Sequence, residues 1–106
     1  MILRLAVYLV LGACIWLPVL GLAQEIVIKD HQFDPSQLMV PAGQKIQLTV
    51  DNQDPSAEEF ESFDLDREQV VGAHQKITVF IGPLVPGTYQ YWGDFHKDTK
   101  GTIVAK

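Results

Sequence analysis

A single cysteine, Cys14, occurs in the 106 residues of the chain, and it lies in the apolar stretch at the N-terminus. The rest of the sequence therefore cannot form a disulfide within itself, and it offers no thiolate to a metal ion. Three signatures of catalytic or nucleotide-binding sites are also missing: a nucleophile elbow, a phosphate-binding glycine loop and a Cys-x-x-Cys pair. A metal site beyond the N-terminal stretch must use oxygen and nitrogen donors.

Basic residues are scarce too, with 8 Lys and Arg against 13 Asp and Glu, which gives a formal net charge of −5. This balance argues against nucleic acid or an anionic lipid surface as a partner, and no basic aromatic groove is present. An acidic chain attracts cations instead. We therefore expect no nucleic-acid partner.

The N-terminal segment has the composition of a signal peptide. A short basic start that ends at Arg4 precedes an apolar core over 5–19, and the small residues at 21–23 suit signal peptidase. We predict a signal peptide over 1–23 and one domain over 24–106, because the remaining chain is long enough for only one small core.

Two alternatives to cleavage after Ala23 remain open. The apolar run could stay as an uncleaved membrane anchor, although no basic stop-transfer cluster follows it. Leu11-Gly12-Ala13-Cys14 could also act as a lipoprotein box that leads to lipidation of Cys14, although the residues after Cys14 are apolar rather than a polar tether.

Short strand patterns separated by turn residues fill the rest of the chain, with almost no helical periodicity. The clearest is Lys45–Asn52, in which Ile46, Leu48 and Val50 alternate with polar residues as in a half-buried strand. About seven such strands indicate an all-β sandwich, while Leu65–Val71 could hold one helical turn. The predicted strands cover 25–29, 38–40, 45–52, 59–65, 76–81, 89–92 and 102–105.

Two carboxylates with strand spacing form the first candidate site. Glu59 and Glu61 project to one face of a strand, whereas Phe60 projects to the other. Neighbouring carboxylates repel each other unless a cation, a base or water screens them. The pair therefore indicates either a cation site or a solvated acidic edge. A register slip of one residue would exchange the faces taken by Glu58 and Glu59.

Asp94 and His96 form the second candidate, in a loop between two predicted strands. Histidine is the commonest side-chain ligand for transition metals, and a nearby carboxylate can ligate the same ion or orient the ring. A histidine beside a glycine-rich turn is also common on surfaces, so both interpretations stay open. His31 and His74 are expected on the surface, with His31 the second choice as a ligand.

Several segments together match one known family. They are Phe33-Asp34-Pro35, Leu38–Gly43, Leu48–Asn52, Glu59-Phe60-Glu61, Pro86–Tyr89, Asp94-Phe95-His96 and Gly101. Over almost all of the chain after residue 23, the sequence resembles the cupredoxin-like domain of bacterial periplasmic iron-uptake systems. The turn motifs are common to all cupredoxins. The Glu-Phe-Glu strand and the Asp-Phe-His loop are more specific, and look like the small stand-alone cupredoxin that accompanies a high-affinity iron permease.

This resemblance implies a Greek-key β-sandwich, export to the periplasm, and copper or iron binding at the pole where strand loops meet. Carried over by position, Glu59 and Glu61 match the acidic pair of the family, and His96 matches the histidine of its C-terminal ligand loop. Asp94 is a plausible addition, either as a ligand or as a residue that orients one.

Two positions depart from the pattern. Some relatives have cysteine where this chain has Phe33, and blue-copper proteins have cysteine where it has Gly93. Without a thiolate, the charge transfer that colours blue-copper sites is impossible, and Cu(I) loses its preferred soft ligands. Carboxylates with one imidazole suit Cu(II), Fe(III), Mn(II) or Zn(II) better. In the iron-uptake setting that the resemblance implies, we predict that the site takes Cu(II) or Fe(III).

The resulting hypothesis is a periplasmic metal-binding protein that serves a high-affinity iron-uptake system. Its expected partner is the iron permease or another uptake component at the inner membrane. One alternative is a metal-free cupredoxin frame that acts as a docking subunit. Another is an enzyme that oxidises ferrous iron with copper and a partner protein, but one mononuclear set of ligands favours a binding protein over an enzyme.

Overall fold

The computed structural model describes residues 21–96 and 98–106. The predicted signal peptide lies outside these residues except for 21–23, and Leu22 already belongs to the first strand. Within the described part of the chain, no helix is long and apolar enough to cross a membrane.

The described residues form nine strands arranged in two sheets. The strands are β1 (Leu22–Lys29), β2 (Gln32–Asp34), β3 (Gln37–Val40), β4 (Ile46–Asn52), β5 (Glu58–Ser62), β6 (Arg67–Val71), β7 (Lys76–Ile81), β8 (Gly87–Trp92) and β9 (Lys100–Ala105). One sheet has the order β2-β1-β4-β7 and the other the order β3-β9-β8-β5-β6. The predicted all-β sandwich is confirmed.

Two of these strands were not predicted from the sequence, and β5 ends at Ser62 rather than at residue 65. The helical turn considered for Leu65–Val71 does not form, because Arg67–Val71 is the edge strand β6, paired antiparallel with β5. The three-residue strand β2 was also not predicted, and it pairs with β1 in a hairpin. β2 has only one buried residue between two exposed ones, and β6 lacks the regular alternation that identifies β4, so periodicity alone could not find them.

The core lies between the sheets, and the period of two in the strands explains its composition. In β4, Ile46, Leu48 and Val50 are completely buried while the residues between them are half-buried. β4 is flanked by β1 in parallel register and by β7 in antiparallel register. The other large buried apolar residues are Ile26, Ile28, Phe33, Phe60, Val71, Ile81, Tyr91 and Ile103.

Three segments meet at one end of the sandwich. They are the two-residue turn Asp30-His31 between β1 and β2, the start of β5 at Glu58, and the loop 93–99 between β8 and β9. The Thr99 hydroxyl donates a hydrogen bond to the His31 carbonyl oxygen at 2.5 Å, which ties the loop to the turn. The turn belongs to one sheet and the other two segments to the other, so side chains from both sheets converge here.

Candidate metal centre

His31, Glu58 and His96 converge at this end of the sandwich, and we refer to them as the histidine cluster. Each residue offers a ligand atom, and these atoms all lie within 4.8 Å of one another. The two imidazole rings stack with their centroids 3.7 Å apart. A cleft of about 500 Å³ opens beside the two histidines and is also lined by Phe95 and Thr99. An ion could therefore reach the cluster from solvent.

His31 is held in a strained turn. Asp30 and His31 both have positive φ, 52° and 58°, as the two central residues of a type I′ hairpin turn require. The buried Asp54 carboxylate accepts hydrogen bonds from the backbone N–H groups of both residues, at 2.8 and 2.9 Å. These bonds stabilise a backbone conformation that a non-glycine residue rarely adopts.

Asp54 is itself held in place by Asn52. Its backbone N–H donates to the side-chain oxygen of Asn52, and the two N–H hydrogens of the Asn52 amide are shared among three backbone carbonyl oxygens at 2.9–3.1 Å. Burial alone would raise the pKa of the Asp54 carboxyl, but the N–H groups of His31 and Asp30 bring the pKa below its usual value. The charged carboxylate also lies 3.6 Å from Nδ1 of His31.

Glu58 supplies a buried carboxylate at the start of β5, with an exposed fraction of 1%. Its Oε1 accepts hydrogen bonds from the backbone N–H groups of Glu59 and Phe95, at 2.9 and 3.2 Å. Its Oε2 lies 2.5 Å from Nδ1 of His96. One oxygen therefore anchors the side chain, and the other faces the imidazole.

His96 lies in a tight loop with short-range backbone hydrogen bonds. The N–H of Gly93 donates to Thr99 O at 2.8 Å, and the N–H of Thr99 donates to His96 O at 3.1 Å. The side chain of His96 is 35% exposed. The loop therefore presents one edge of the ring to Glu58 and leaves part of it open to solvent.

A second group of carboxylates lies beside the first, on the outer face of the five-stranded sheet. Glu59, Glu61 and Asp94 form this acidic cluster, and their ligand oxygens also lie within 4.8 Å of one another. Burial raises the pKa of Glu59, and the neighbouring charges of Glu61 and Glu68 raise it further. The pKa of Glu61 is raised by burial and then by Asp94 and Glu68. The mutual repulsion shows that this face concentrates negative charge.

The four predicted ligands are thus divided between the two clusters. Glu59, Glu61 and Asp94 lie together, whereas His96 faces Glu58 and His31. Glu59 and Glu61 do share a face, but it is the outer one, and the adjacent Glu58 points inward on the side of Phe60.

Sequence reasoning missed Glu58 and ranked His31 low. The one indication of Glu58 in the sequence was that a shift of β5 by one residue would exchange the faces of Glu58 and Glu59. For His31, the signal was its place in a two-residue turn between β1 and β2, but β2 was not recognised. His31 and His74, both expected on the surface, are exposed.

The donors of the histidine cluster fit a transition-metal ion. Two imidazoles and one carboxylate form a mixed nitrogen and oxygen set that suits Cu(II), Zn(II) or Fe(II), whereas the acidic cluster offers only oxygen and suits harder ions. Neither cluster contains sulfur. The thiolate chemistry of a blue-copper centre is therefore excluded for the residues described.

Comparison with known proteins agrees with this fold. A family model described as a cupredoxin-like domain matches residues 21–105. An uncharacterized protein of Rickettsia prowazekii (strain Madrid E), RP394, is 49% identical over 81 residues, which are 76% of this chain and 65% of that protein. The matched region therefore spans just under two thirds of this relative.

Three solved structures share the fold at 15–17% identity, a level that bears on fold alone. Auracyanin B has a TM-score of 0.72, and the aligned region covers 85% of this chain and 93% of the auracyanin B chain. Auracyanin A, a "blue" copper protein of Chloroflexus aurantiacus, has a TM-score of 0.68 with 80% and 98% covered. The metal-binding domain of the Cu(I)-exporting ATPase CopA of Streptococcus pneumoniae D39, solved with Cu(I), also has a TM-score of 0.68, with 79% and 84% covered.

Proposed function

The chain belongs to the cupredoxin-like domain family, and we propose that it is a metal-binding protein whose principal site is the histidine cluster. The ion we assign to this site is Cu(II). The observation behind the proposal is that a fully buried carboxylate and two stacked imidazoles, contributed by both sheets, converge within 4.8 Å.

Two features of the cluster cost free energy in the folded protein. His31 has a left-handed backbone conformation that is uncommon for residues other than glycine, and the carboxyl group of Glu58 is buried with almost no solvent contact. A bound cation between the carboxylate and the imidazoles would offset both costs. Among divalent first-row metals, nitrogen and oxygen donors bind Cu(II) most tightly.

Ferric iron belongs in this proposal at the acidic cluster. Fe(III) is a hard ion that prefers carboxylate oxygens, and Glu59, Glu61 and Asp94 provide three of them with no imidazole among them. The roles predicted from sequence for these three residues are thereby kept as ligands of a separate site, while His96 serves the histidine cluster.

The biological role that we propose is an exported accessory of a high-affinity iron-uptake system. Three features support it: the resemblance described above, a signal-peptide composition over 1–23, and copper-binding proteins among the structures with this fold. The partner would be the iron permease or another uptake component at the inner membrane, and the protein would work in the periplasm.

Isothermal titration of metal-free protein that begins at Gln24 tests the site. We expect one tight Cu(II) site that is lost in the Glu58→Gln/His96→Ala variant and retained in the Glu59→Gln/Asp94→Asn variant, which changes neighbouring carboxylates on the other face. Fe(III) binding should show the opposite pattern. If the unmodified protein binds Cu(II) no more tightly than the Glu58→Gln/His96→Ala variant, the proposal is wrong and a metal-free docking role becomes the better hypothesis.

The oxidase alternative needs a separate measurement. Oxygen consumption with ferrous iron, with and without one equivalent of Cu(II), distinguishes a binding protein from an enzyme. We expect no copper-dependent increase in the rate for the isolated protein. A rate that saturates with ferrous iron and disappears in the His96→Ala variant would instead show catalysis.

A further inference from the structure

Gly93 lies directly against the carboxylate of Glu58. A Cβ atom added at position 93 would lie 2.6 Å from Oε1 of Glu58, 2.7 Å from its carboxyl carbon and 3.0 Å from Cγ2 of Thr99. The first two distances are shorter than real Cβ contacts. Gly93 is not among the residues with positive φ, so the position requires glycine for space rather than for backbone conformation. The Glu58 carboxylate occupies the volume that a side chain at 93 would need.

Glu58 cannot easily move aside. The same Oε1 that a Cβ atom would contact accepts the N–H groups of Glu59 and Phe95, and the side chain is 1% exposed. Displacing it would leave two donors without their acceptor and would force a buried polar group into a closely packed environment, and both changes are unfavourable. A side chain at 93 and the present position of Glu58 therefore exclude each other.

We propose that Gly93 and Glu58 together determine which metal the histidine cluster accepts. The missing Cβ at 93 admits the Glu58 carboxylate beside His96, so the third donor of the cluster is an oxygen. Any side chain at 93, a thiolate included, requires that oxygen to leave. The cluster consequently favours Cu(II) and similar divalent ions over Cu(I), which prefers sulfur. This inference rests on the metal-binding function proposed above.

A double-mutant cycle on the metal-free protein tests the exclusion itself. The variants are Gly93→Ala, Glu58→Ala and the combination, and the readouts are thermal unfolding and far-UV circular dichroism. We expect Gly93→Ala alone to lower the midpoint of unfolding clearly, and to have much less effect when Glu58 is already alanine. If Gly93→Ala alone does not fold but the double variant does, the exclusion is supported in its strongest form. Equal effects of Gly93→Ala in both backgrounds would overturn it.

The same variants test the metal preference by titration with Cu(II). We expect Gly93→Ala and Glu58→Ala each to weaken Cu(II) binding by about tenfold or more, and the double variant to bind no more weakly than Glu58→Ala. Unchanged affinity in Gly93→Ala would contradict the inference while leaving the proposed function intact. If the unmodified protein does not bind Cu(II), the proposed function is wrong. The double-mutant cycle on the metal-free protein would still decide whether a side chain at 93 and the present position of Glu58 exclude each other.

The Glu58→Ala/Gly93→Cys variant tests the reverse change in donor type. With the carboxylate removed, a thiolate from position 93 has room beside the histidines. We expect the ratio of Cu(I) to Cu(II) affinity, measured by competition with chelators, to rise by about tenfold or more over the unmodified protein, and a thiolate-to-Cu(II) charge-transfer band to appear in the visible spectrum. The matched control is Glu58→Ala/Gly93→Ser, which should give neither change. An unchanged ratio without the band would overturn the assignment.

Discussion

Asp54 is the residue on which the position of His31 depends most directly. Its carboxylate accepts two backbone N–H bonds from the Asp30-His31 turn and makes no direct contribution to the metal-ligand set. We predict that Asp54→Asn lowers the free energy of unfolding by about 1–2 kcal/mol, because the amide keeps only one acceptor oxygen and loses the charge. Urea denaturation measures the loss. Asp51→Asn, which changes a half-buried carboxylate near the end of β4, is the matched control and should differ from the unmodified protein by less than about 0.5 kcal/mol.

The same Asp54→Asn variant should bind Cu(II) more weakly, by about tenfold, since a displaced turn moves His31 away from Glu58 and His96. Glu58→Gln is the variant for comparison, because it changes a ligand of the histidine cluster without changing the Asp30-His31 turn. If Asp54→Asn binds copper normally while its stability falls, Asp54 has a purely structural role.

Tyr91 has a buried hydroxyl group that costs stability. It packs among Phe33 and Phe60 with 1% exposure, and its hydroxyl is buried with no hydrogen-bond partner among the described residues. Burial raises the pKa of this phenol well above its ordinary value. We predict that Tyr91→Phe raises the free energy of unfolding by about 1 kcal/mol, because it removes a desolvated polar group and keeps the ring. A lower stability in urea would show that the hydroxyl has a partner.

At the scale of secondary structure, the turn of the β1–β2 hairpin has a histidine where glycine would fit the backbone better, and the proposed function requires the histidine. His31 has a φ of 58°, and His74, in the exposed turn between β6 and β7, has a φ of 55°. Glycine accepts this conformation without steric cost, although it also loses more entropy on folding. We predict that His31→Gly and His74→Gly each leave the free energy of unfolding unchanged or raise it by up to about 1 kcal/mol.

The two glycine variants should differ in their affinity for Cu(II). His31→Gly removes a ligand and should weaken Cu(II) binding by about tenfold or more, whereas His74→Gly should bind as the unmodified protein does. Calorimetry on both variants provides the measurement. If His31→Gly is markedly destabilised, the histidine is retained for packing against His96 rather than for a metal ion.

The strands differ in how well the sequence pattern predicts them. β4 was predictable because it alternates between the core and a polar face. β6 presents Glu68, Gln69 and Val70 to solvent, so it lacks that alternation. Its position depends instead on pairing with β5 and on the Arg67 guanidinium, which donates to Phe80 O in β7. Such contacts join distant parts of the chain and leave no local pattern.

The candidate site was only partly predictable for the same reason. A histidine in the β8–β9 loop and carboxylates in β5 are local features, and His96, Asp94, Glu59 and Glu61 were identified from them. Which carboxylate faces which histidine depends on the register of β5 against its neighbours, and a shift by one residue exchanges Glu58 and Glu59. The pairing of His31 with His96 joins residues 65 positions apart and needed the completed fold.

At the scale of the whole molecule, a bound ion would link the two sheets. His31 belongs to the hairpin of the four-stranded sheet, while Glu58 and His96 belong to the five-stranded sheet, so one ion at the histidine cluster contacts both. An ion that binds the folded state alone stabilises it by mass action. We predict that Cu(II) at a free concentration of one hundred times its dissociation constant raises the free energy of unfolding by about 2.7 kcal/mol.

Amide hydrogen exchange can locate this stabilisation. Exchange at 30–32, at 58–60 and across the 93–99 loop should slow together on addition of Cu(II), since local opening of any of the three segments would break the same site. His96→Ala should abolish the effect on all three. Slowing confined to β5, β6 and Asp94, with the hairpin unchanged, would mean that the ion binds the acidic cluster on the outer face. In that case the bridge between the sheets would not exist, and the histidine pair would owe its stacked geometry to packing alone.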